Sequence, residues 1–304
     1  MQSLVSFPQM QGSSYSLWSV CLCLLFCAGC GLTPAASRHD RLPPDRGQVG
    51  RSPEQSTFVT QVYPSADALP ENLLKFYLHF SAPMSRGDSY RHIRLVQQNG
   101  AVVELPFLEL DQELWDRRQK RLTLLLDPGR IKRGLKPHDE VGPILKPGQR
   151  YTLEIDAHWL DAKSVPLVRS FRKTFRVLEH DVQSPDPHRW RVTSPYADTR
   201  EPLSVTFSEP LDHALLLRLL SVRDPGGEIL DGEFRITSNE TRCQFTPARP
   251  WEAGSYRLVV DTLLEDLAGN SIARPFEVDL QKAASSSPPP RRVDIPFSVP
   301  VDSS

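Results

Sequence analysis

Alternating apolar and polar positions are the most regular pattern along this chain. In YTLEID (151–156) and YRLVVD (256–261) every second residue is apolar, which is typical of a β-strand with one buried face. KFYLHF (75–80) alternates in the same way, and turn sequences such as QQNG, DPGGE and LAGN separate such runs. The exception is Asp212–Ser221, whose apolar spacing predicts one or two helical turns. Proline (28 residues) outnumbers glycine (16), which favours short strands and rigid turns over long helices.

Four sequence landmarks occur twice in the same order, which predicts an internal duplication. The first copy contains FSAPM, LTLLLDP, GQRYTLEID and WLDA, and the second contains FSEPL, CQFTP, GSYRLVVD and LEDLAGN. A length of 304 residues suits two domains. About seven short strands per roughly 100 residues predict an immunoglobulin-like (Ig-like) β-sandwich for each copy. The fold class is therefore all-β, with two Ig-like sandwiches in tandem.

The order of these motifs resembles the bacterial Ig-like domain of S-layer proteins (the SbsA type). The second copy matches through Phe207, Pro210, Tyr256 and Gly269, among others, whereas the first departs where DLAGN is replaced by DAKSV. The resemblance implies an extracellular spacer or recognition module that has no catalytic residues.

The N-terminus has the composition of a processing signal. Leu17–Ala28 is an apolar run of twelve residues, which is too short to span a bilayer but suits the core of a signal peptide. It ends in CAGC, which resembles the lipobox of bacterial lipoproteins and implies lipidation of Cys30 after cleavage. Two features depart from that pattern, namely Cys27 in place of leucine and the lack of Lys or Arg before Arg38. A plain secretory signal and an uncleaved anchor therefore remain alternatives.

The remaining boundaries follow from composition. Polar, Pro-rich stretches flank the strand-rich region, and they predict a flexible tether and a disordered tail. The predicted segments are a lipoprotein-type signal peptide (1–29), a tether (30–57), a first Ig-like domain (58–180) with a basic insertion (129–147), a linker (181–190), a second Ig-like domain (191–281) and a disordered tail (282–304). Cys243, which alternates with Gln244 in TRCQFTP, is predicted to be a small buried strand residue.

Acidic loops predict one candidate site, for a metal ion. In an Ig-like sandwich the F-S-x-P strand is strand B and the G-x-Y strand is strand F. The loops that follow them meet at one end of the sandwich, which we call the pole. In the second copy this arrangement gathers oxygen ligands of the kind that Ca²⁺ takes: Glu209, Asp212, Asp266 and Asn270. The alternative is ordinary turn chemistry, in which Asp266 binds backbone amides.

The basic insertion is the second candidate site. Arg130, Lys132, Arg133 and Lys136 cluster there beside glycines, and such a loop suits phosphate or an anionic glycan. The alternative is a solvated loop whose charge Asp139 and Glu140 partly neutralise.

The composition and the lack of known catalytic motifs limit the classes of function that the sequence allows. Lys plus Arg (36) nearly balances Asp plus Glu (37), so a nucleic-acid partner is not expected. The sequence contains no G-x-S-x-G, H-E-x-x-H, Walker or dinucleotide-binding motif, so no enzyme and no cofactor are predicted, with calcium as the exception to test. The sequence favours a membrane-anchored, extracytoplasmic lipoprotein of a bacterial outer membrane or cell surface, with an envelope protein or surface polysaccharide as partner. A dedicated ligand-binding module is the alternative, and an enzyme whose site no motif reveals is a third hypothesis.

Overall fold

The computed structural model describes residues 56–133, 136–276 and 290–301. Within these ranges the chain consists mainly of short strands, because apolar and polar side chains alternate along them. In Arg150–Ile155, for example, Tyr151, Leu153 and Ile155 are buried while the residues between them are partly exposed.

The first sandwich consists of two four-stranded sheets. The first sheet has the order β1 (Val59–Tyr63), β3 (Lys75–Phe80), β6 (Arg121–Leu125), β5 (Leu114–Trp115). The second has the order β2 (Ala68–Pro70), β8 (Phe171–Leu178), β7 (Arg150–Ile155), β4 (Ile93–Gln97). The short β2 runs parallel to β8, and the two sheets enclose one hydrophobic core.

The second sandwich has a four-stranded and a three-stranded sheet. The larger sheet has the order β12 (Gly232–Thr237), β13 (Arg242–Pro247), β10 (Leu203–Thr206), β9 (Arg191–Thr193). The smaller has the order β11 (Leu220–Arg223), β14 (Gly254–Asp261), β15 (Arg292–Val299). In chain order these are the A-B-E-D and C-F-G sheets of an immunoglobulin sandwich, so the predicted fold class is confirmed.

Both F-S-x-P segments follow strand B of their sandwich, as predicted. Phe80 and Phe207 are buried, and the chain after each continues into a loop that meets the loop after strand F. An isolated bridge joins Met84 to Asp161 in the first sandwich and Leu211 to Asp266 in the second. The predicted meeting of the two loops at the pole is therefore confirmed in both sandwiches.

The described part of the chain also contains three short α-helices, α1 (Pro128–Ile131), α2 (Lys136–Val141) and α3 (His213–Leu219), and two 3-10 helices, Ser89–His92 and Pro187–Arg189. The first two lie in the basic insertion. The third confirms the predicted helical turns, and the Asp212 side chain caps it by accepting from the Leu215 N–H. No helix among the described residues has the length and apolar character needed to cross a membrane.

The prediction of a disordered tail over 282–304 is wrong for part of that segment. Arg292–Val299 forms β15 and pairs antiparallel with β14 along its whole length, and its Phe297 and Val299 enter the core of the second sandwich. The prolines suggested a tail, but Pro296 lies on the edge strand of its sheet, where a residue without an N–H group is tolerated.

Cys243 is buried, as predicted, and burial raises the pKa of its thiol to about 12. The predicted signal peptide, the lipidation site Cys30, the tether up to residue 55 and the tail segments 282–289 and 302–304 lie outside the described residues.

Candidate functional site

The pole of the second sandwich packs directly against the first sandwich. The Leu74 N–H donates to the Leu267 carbonyl at 3.0 Å, and the Leu267 side chain belongs to the hydrophobic core of the first sandwich. Gly269 has a φ of +85°, and a Cβ at that position would lie 2.8 Å from a methyl carbon of Leu74. Both sandwiches therefore belong to one compact unit, and we call this contact the junction.

A buried charge network crosses the junction. Lys75 Nζ lies 3.1 Å from Asp212 Oδ2 and 2.8 Å from Glu265 Oε2, and the Tyr77 hydroxyl donates to Asp212 at 2.9 Å. Burial alone would lower the pKa of Lys75, but the two carboxylates outweigh it and the pKa is raised. Burial and Asp212 together raise the pKa of Tyr77. Lys75 thus stays charged and Tyr77 stays a donor, so the network holds strand B of the first sandwich to the pole of the second.

A second polar contact lies beside the first. The backbone N–H and the hydroxyl of Ser65 both donate to the Glu240 carboxylate, at 2.8 and 2.6 Å. The Tyr63 ring stacks on the His213 ring at 3.5 Å between centroids, and burial followed by the nearby His79 lowers the pKa of His213 to about 4. His213 is therefore neutral at physiological pH and packs as an aromatic ring.

Three carboxylates converge at the same pole, and we call them the acid cluster. Among the described residues, Asp181, Glu209 and Asp266 place ligand oxygens within 4.8 Å of one another. Asn270 lies beside them, and its Nδ2 donates to Asp266 Oδ2 at 2.8 Å and to the Asp181 carbonyl oxygen at 3.2 Å. Burial, reinforced by the charge of Asp181, raises the pKa of Glu209 to about 7. Burial likewise raises the pKa of Asp266 to about 7, despite the opposing hydrogen bonds from Asn270.

This arrangement favours a bound proton or cation at neutral pH, because three adjacent negative charges would repel one another in a partly buried site. Asp266 also makes the hydrogen bonds that are usual in such a turn, because its Oδ1 accepts from the N–H groups of Ala268 and Asn270 at 2.8 and 2.9 Å. The turn chemistry that the sequence offered as the alternative is thus observed at Asp266, and binding of a metal ion by the cluster stays a prediction.

The structure brings together three of the four predicted metal-site residues, namely Glu209, Asp266 and Asn270. Asp212 is not in the cluster, since it binds Lys75 and Tyr77 and caps α3. The cluster instead includes Asp181, which sequence reasoning missed because it lies in the predicted linker. No local feature of that segment marks Asp181 as part of the cluster.

The predicted basic site is arranged differently from an open anion-binding loop. Arg130 is buried, and its guanidinium donates to the carbonyls of Glu104, Leu105 and Gly142 at 2.6 to 3.3 Å. Lys132 Nζ lies 4.2 Å above the Phe276 ring, and Arg133 pairs with Glu71 at 3.1 Å. Lys136 is exposed. Three of the four cations therefore contact groups of this chain, at three separate places.

Comparison with known proteins gives similarity to solved structures alone. No family model matches the chain, and no curated protein matches it. One similar structure is native alpha-2-macroglobulin from Escherichia coli, spanning domains MG0-NIE-MG1, with 13% identity over 68% of this chain and 66% of that chain and a TM-score of 0.26. Another is the S-layer protein rSbsC(31-844), with 12% identity over 67% of this chain and 23% of that chain and a TM-score of 0.28.

A chimeric titin Z1Z2 is also similar, with 13% identity over 82% of this chain and 98% of that chain and a TM-score of 0.25. The chain thus covers less than two thirds of the length of the first two of these structures. The assignment of the Ig-like fold rests on the strand order described above.

Proposed function

We propose that this protein is a lipid-anchored, extracytoplasmic structural or interaction module of a bacterial envelope, which presents two Ig-like sandwiches as one rigid unit. The observation that carries the proposal is the junction. Lys75, Tyr77 and Asp212 are largely buried between the sandwiches, where a flexibly linked pair would leave them in water. The CAGC motif supports the anchor at Cys30, and the repeated landmarks support descent of both sandwiches from one S-layer-type Ig-like domain.

The rigidity follows from the cost of opening the junction. Opening the junction would break the contacts of Lys75 with Asp212 and Glu265 and the hydrogen bond from Tyr77 to Asp212. Separating the sandwiches would in addition return Leu267 to water, which costs about 2 kcal/mol for a buried leucine. Such a unit holds its two ends at a fixed separation, which is the property that a spacer or an adhesive module needs.

Coupled unfolding tests the rigid unit. Urea unfolding should give one transition by tryptophan fluorescence and by circular dichroism, because the described tryptophans lie in or against both cores. Asp212→Ala should split that transition in two, whereas Glu233→Gln, at an exposed acid on β12, should leave it single. Two separate transitions in the unsubstituted protein would refute the rigid unit.

Metabolic labelling with a fatty acid tests the anchor. Label should enter the membrane fraction with the protein and be lost in Cys30→Ser. Label that persists in the Cys30→Ser variant would place the lipid elsewhere, and an unlabelled, released protein would leave the plain secretory signal as the explanation.

Calcium binding is the second candidate function, and the acid cluster favours it. Ca²⁺ takes six to eight oxygen ligands, so three carboxylates would need water and backbone carbonyls to complete the shell. Calorimetric titration with Ca²⁺ should show binding that Glu209→Gln weakens and Glu233→Gln leaves unchanged. Equal heats for the unsubstituted protein and Glu209→Gln would exclude the cluster as the site.

Binding of phosphate or an anionic glycan at the basic insertion stays a prediction. Because Arg130 binds three backbone carbonyls, its replacement would disturb the fold, and Arg133→Ala with Lys136→Ala is the cleaner test. An array of anionic glycans that the unsubstituted protein and this double variant bind alike would remove that alternative.

A further inference from the structure

The two poles share one loop framework, which allows their residues to be matched. Asp161 Oδ1 accepts from the N–H groups of Lys163 and Val165, as Asp266 Oδ1 accepts from those two and four positions later in its own loop. Ser164, with a φ of +61°, takes the left-handed conformation that Gly269 has in the second sandwich. The DAKSV sequence therefore keeps the turn of DLAGN.

Backbone hydrogen bonds extend the match to the residues that face the junction. Ser85 donates to the Leu160 carbonyl as Asp212 donates to that of Glu265. Met84 donates to the Gln119 carbonyl as Leu211 donates to that of Glu240. The matched pairs are Ser85 with Asp212, Leu160 with Glu265 and Gln119 with Glu240.

The three acids that the second pole presents to the junction thus have neutral counterparts at the first pole. Lys75, the cation that faces these acids, also has a neutral counterpart. It lies at the end of the second sandwich opposite its pole, which we call the far end. Lys75 directly precedes the strand-B residue Phe76, and the corresponding residue before Leu203 is Pro202, which is exposed. The charged groups that pair across the junction thus have neutral counterparts on the two surfaces that would face each other if the junction were repeated between chains.

Among the described residues, no second sandwich covers the first pole, which we call the open pole, and its concave surface carries exposed apolar side chains beside polar ones such as Lys163. Leu267, which inserts into the first sandwich, is matched there by the small Ala162, and a cavity of about 410 Å³ lies at this place, lined among others by Phe58, Pro83 and Ala162. Phe58 and Leu160 are 39% and 40% exposed. Large exposed apolar groups around a concavity mark an interaction surface.

The far end of the second sandwich offers a surface that could face the open pole of another chain. In the sequence YAD, Tyr196 takes the place that Ser65 has in SAD, with Ala197 and Ala66 each buried in its own sandwich. Ser65 touches the second pole through Glu240, whereas Tyr196 is 47% exposed. An exposed aromatic ring thus lies where the repeated junction would bring it to the open pole.

We propose that a second copy of this chain docks the far end of its second sandwich, with Tyr196 and Pro202, onto the open pole of the first sandwich, with Phe58 and Leu160. The contact repeats between chains the junction within one chain, with an apolar pair in place of the ion pair. Such a heterologous contact generates head-to-tail chains, which end as a ring where the rotation between copies closes and as a filament where it does not. The inference rests on the proposed interaction role and supplies its partner.

Sedimentation velocity of the full chain, purified in detergent over a range of concentrations, tests the contact. The unsubstituted chain should associate beyond a dimer, and Leu160→Glu and Pro202→Lys should each weaken association at least about tenfold, because each buries an unpaired charge. The double variant Leu160→Glu/Pro202→Lys should recover association, since it recreates the Glu265–Lys75 pair between chains. Leu114→Glu, at a leucine of matched 39% exposure on β5, should associate like the unsubstituted chain.

Mixing the two single variants adds a test of direction. Each variant retains one intact surface, and the two altered surfaces carry opposite charges, so the mixture should associate where neither variant alone does. A monomeric unsubstituted chain, normal association of Leu160→Glu, or a mixture without complex would each overturn the proposal. A monomer that still unfolds in one transition would overturn self-association while leaving the rigid unit intact.

An engineered disulfide provides an independent readout. Ala162 matches Leu267 and Glu201 matches Leu74, the two residues whose backbones meet at the junction. Ala162→Cys and Glu201→Cys on one chain should give a ladder of cross-linked chains on a non-reducing gel. Cross-linking of Ala162→Cys with itself would instead indicate a symmetric contact and overturn the proposal.

Discussion

Replacing Glu209 by glutamine should stabilise the protein at alkaline pH and leave it unchanged in acid. The pKa of Glu209 is raised from 4.5 to about 7 by burial and by Asp181. A carboxyl whose pKa is higher in the folded than in the unfolded chain favours folding most below the unfolded value, and this advantage is lost as the pH rises through about 7. The glutamine removes that loss because it never ionises.

The size of the effect follows from the pKa. One pKa unit corresponds to about 1.4 kcal/mol, so the rise from 4.5 to about 7 sets an upper limit of about 3 kcal/mol on the gain at pH 8. Glu209 is half-buried and water screens part of its interactions, so we expect a gain of about 1–2 kcal/mol. Loss of the Glu209 charge should also lower the pKa of Asp266, because that charge contributes to its elevation.

Urea unfolding followed by tryptophan fluorescence, at pH 4.5 and pH 8 with a chelator present, measures the difference between the two proteins. Glu233→Gln serves as the control at an exposed acid. Added Ca²⁺ should stabilise the unsubstituted protein at pH 8 more than Glu209→Gln, if the cluster binds it. An equal gain at both pH values, or none at pH 8, would refute the reasoning from the raised pKa.

Three further results are expected. Gly269→Ala should lower the free energy of unfolding by about 1–3 kcal/mol, because of the positive φ and the contact with Leu74. Ser164→Gly, at the matched turn position, should raise that free energy by up to about 1 kcal/mol. Urea unfolding of both variants measures the contrast. Arg130→Ala should cost about 2–4 kcal/mol in the same assay, because it leaves three carbonyls without their donor. Cys243 should react with a thiol reagent after unfolding and not before, since burial raises the pKa of its thiol to about 12, and mass spectrometry of the labelled peptide checks this.

The strands and the meeting of the pole loops were accessible to sequence reasoning because they depend on local pattern. Alternation in 151–156 and 256–261 identified strand F of each sandwich, and Phe80 and Phe207 identified strand B. Once these strands are assigned, the Ig-like topology brings the two loops together, so the sequence alone was enough to pair Glu209 with Asp266.

The contacts between the sandwiches were not accessible, because they join residues far apart in sequence without any local signal. Asp181 is 85 residues from Asp266, and Lys75 has no feature in its own segment that distinguishes it from an exposed lysine. Arg130 is the opposite case, because its segment has a local signal that predicts the wrong environment. A cluster of cations in a loop suggests an exposed site, but the backbone carbonyls that bury Arg130 are visible only when the loop is folded.

The loops at the two poles share one backbone framework but carry different side chains. Both keep an aspartate that accepts from the second and fourth following amides, so the turn survives the exchange of Gly269 for Ser164 at the matched position. Where the framework is covered by another sandwich, it carries the acids that Lys75 and Ser65 require, because a buried polar group needs a partner. Where it is open, the same positions hold Ser85, Gln119 and Leu160. The difference between the two loops therefore follows the presence of a facing sandwich: the covered loop carries acids for Lys75 and Ser65, and the open loop does not.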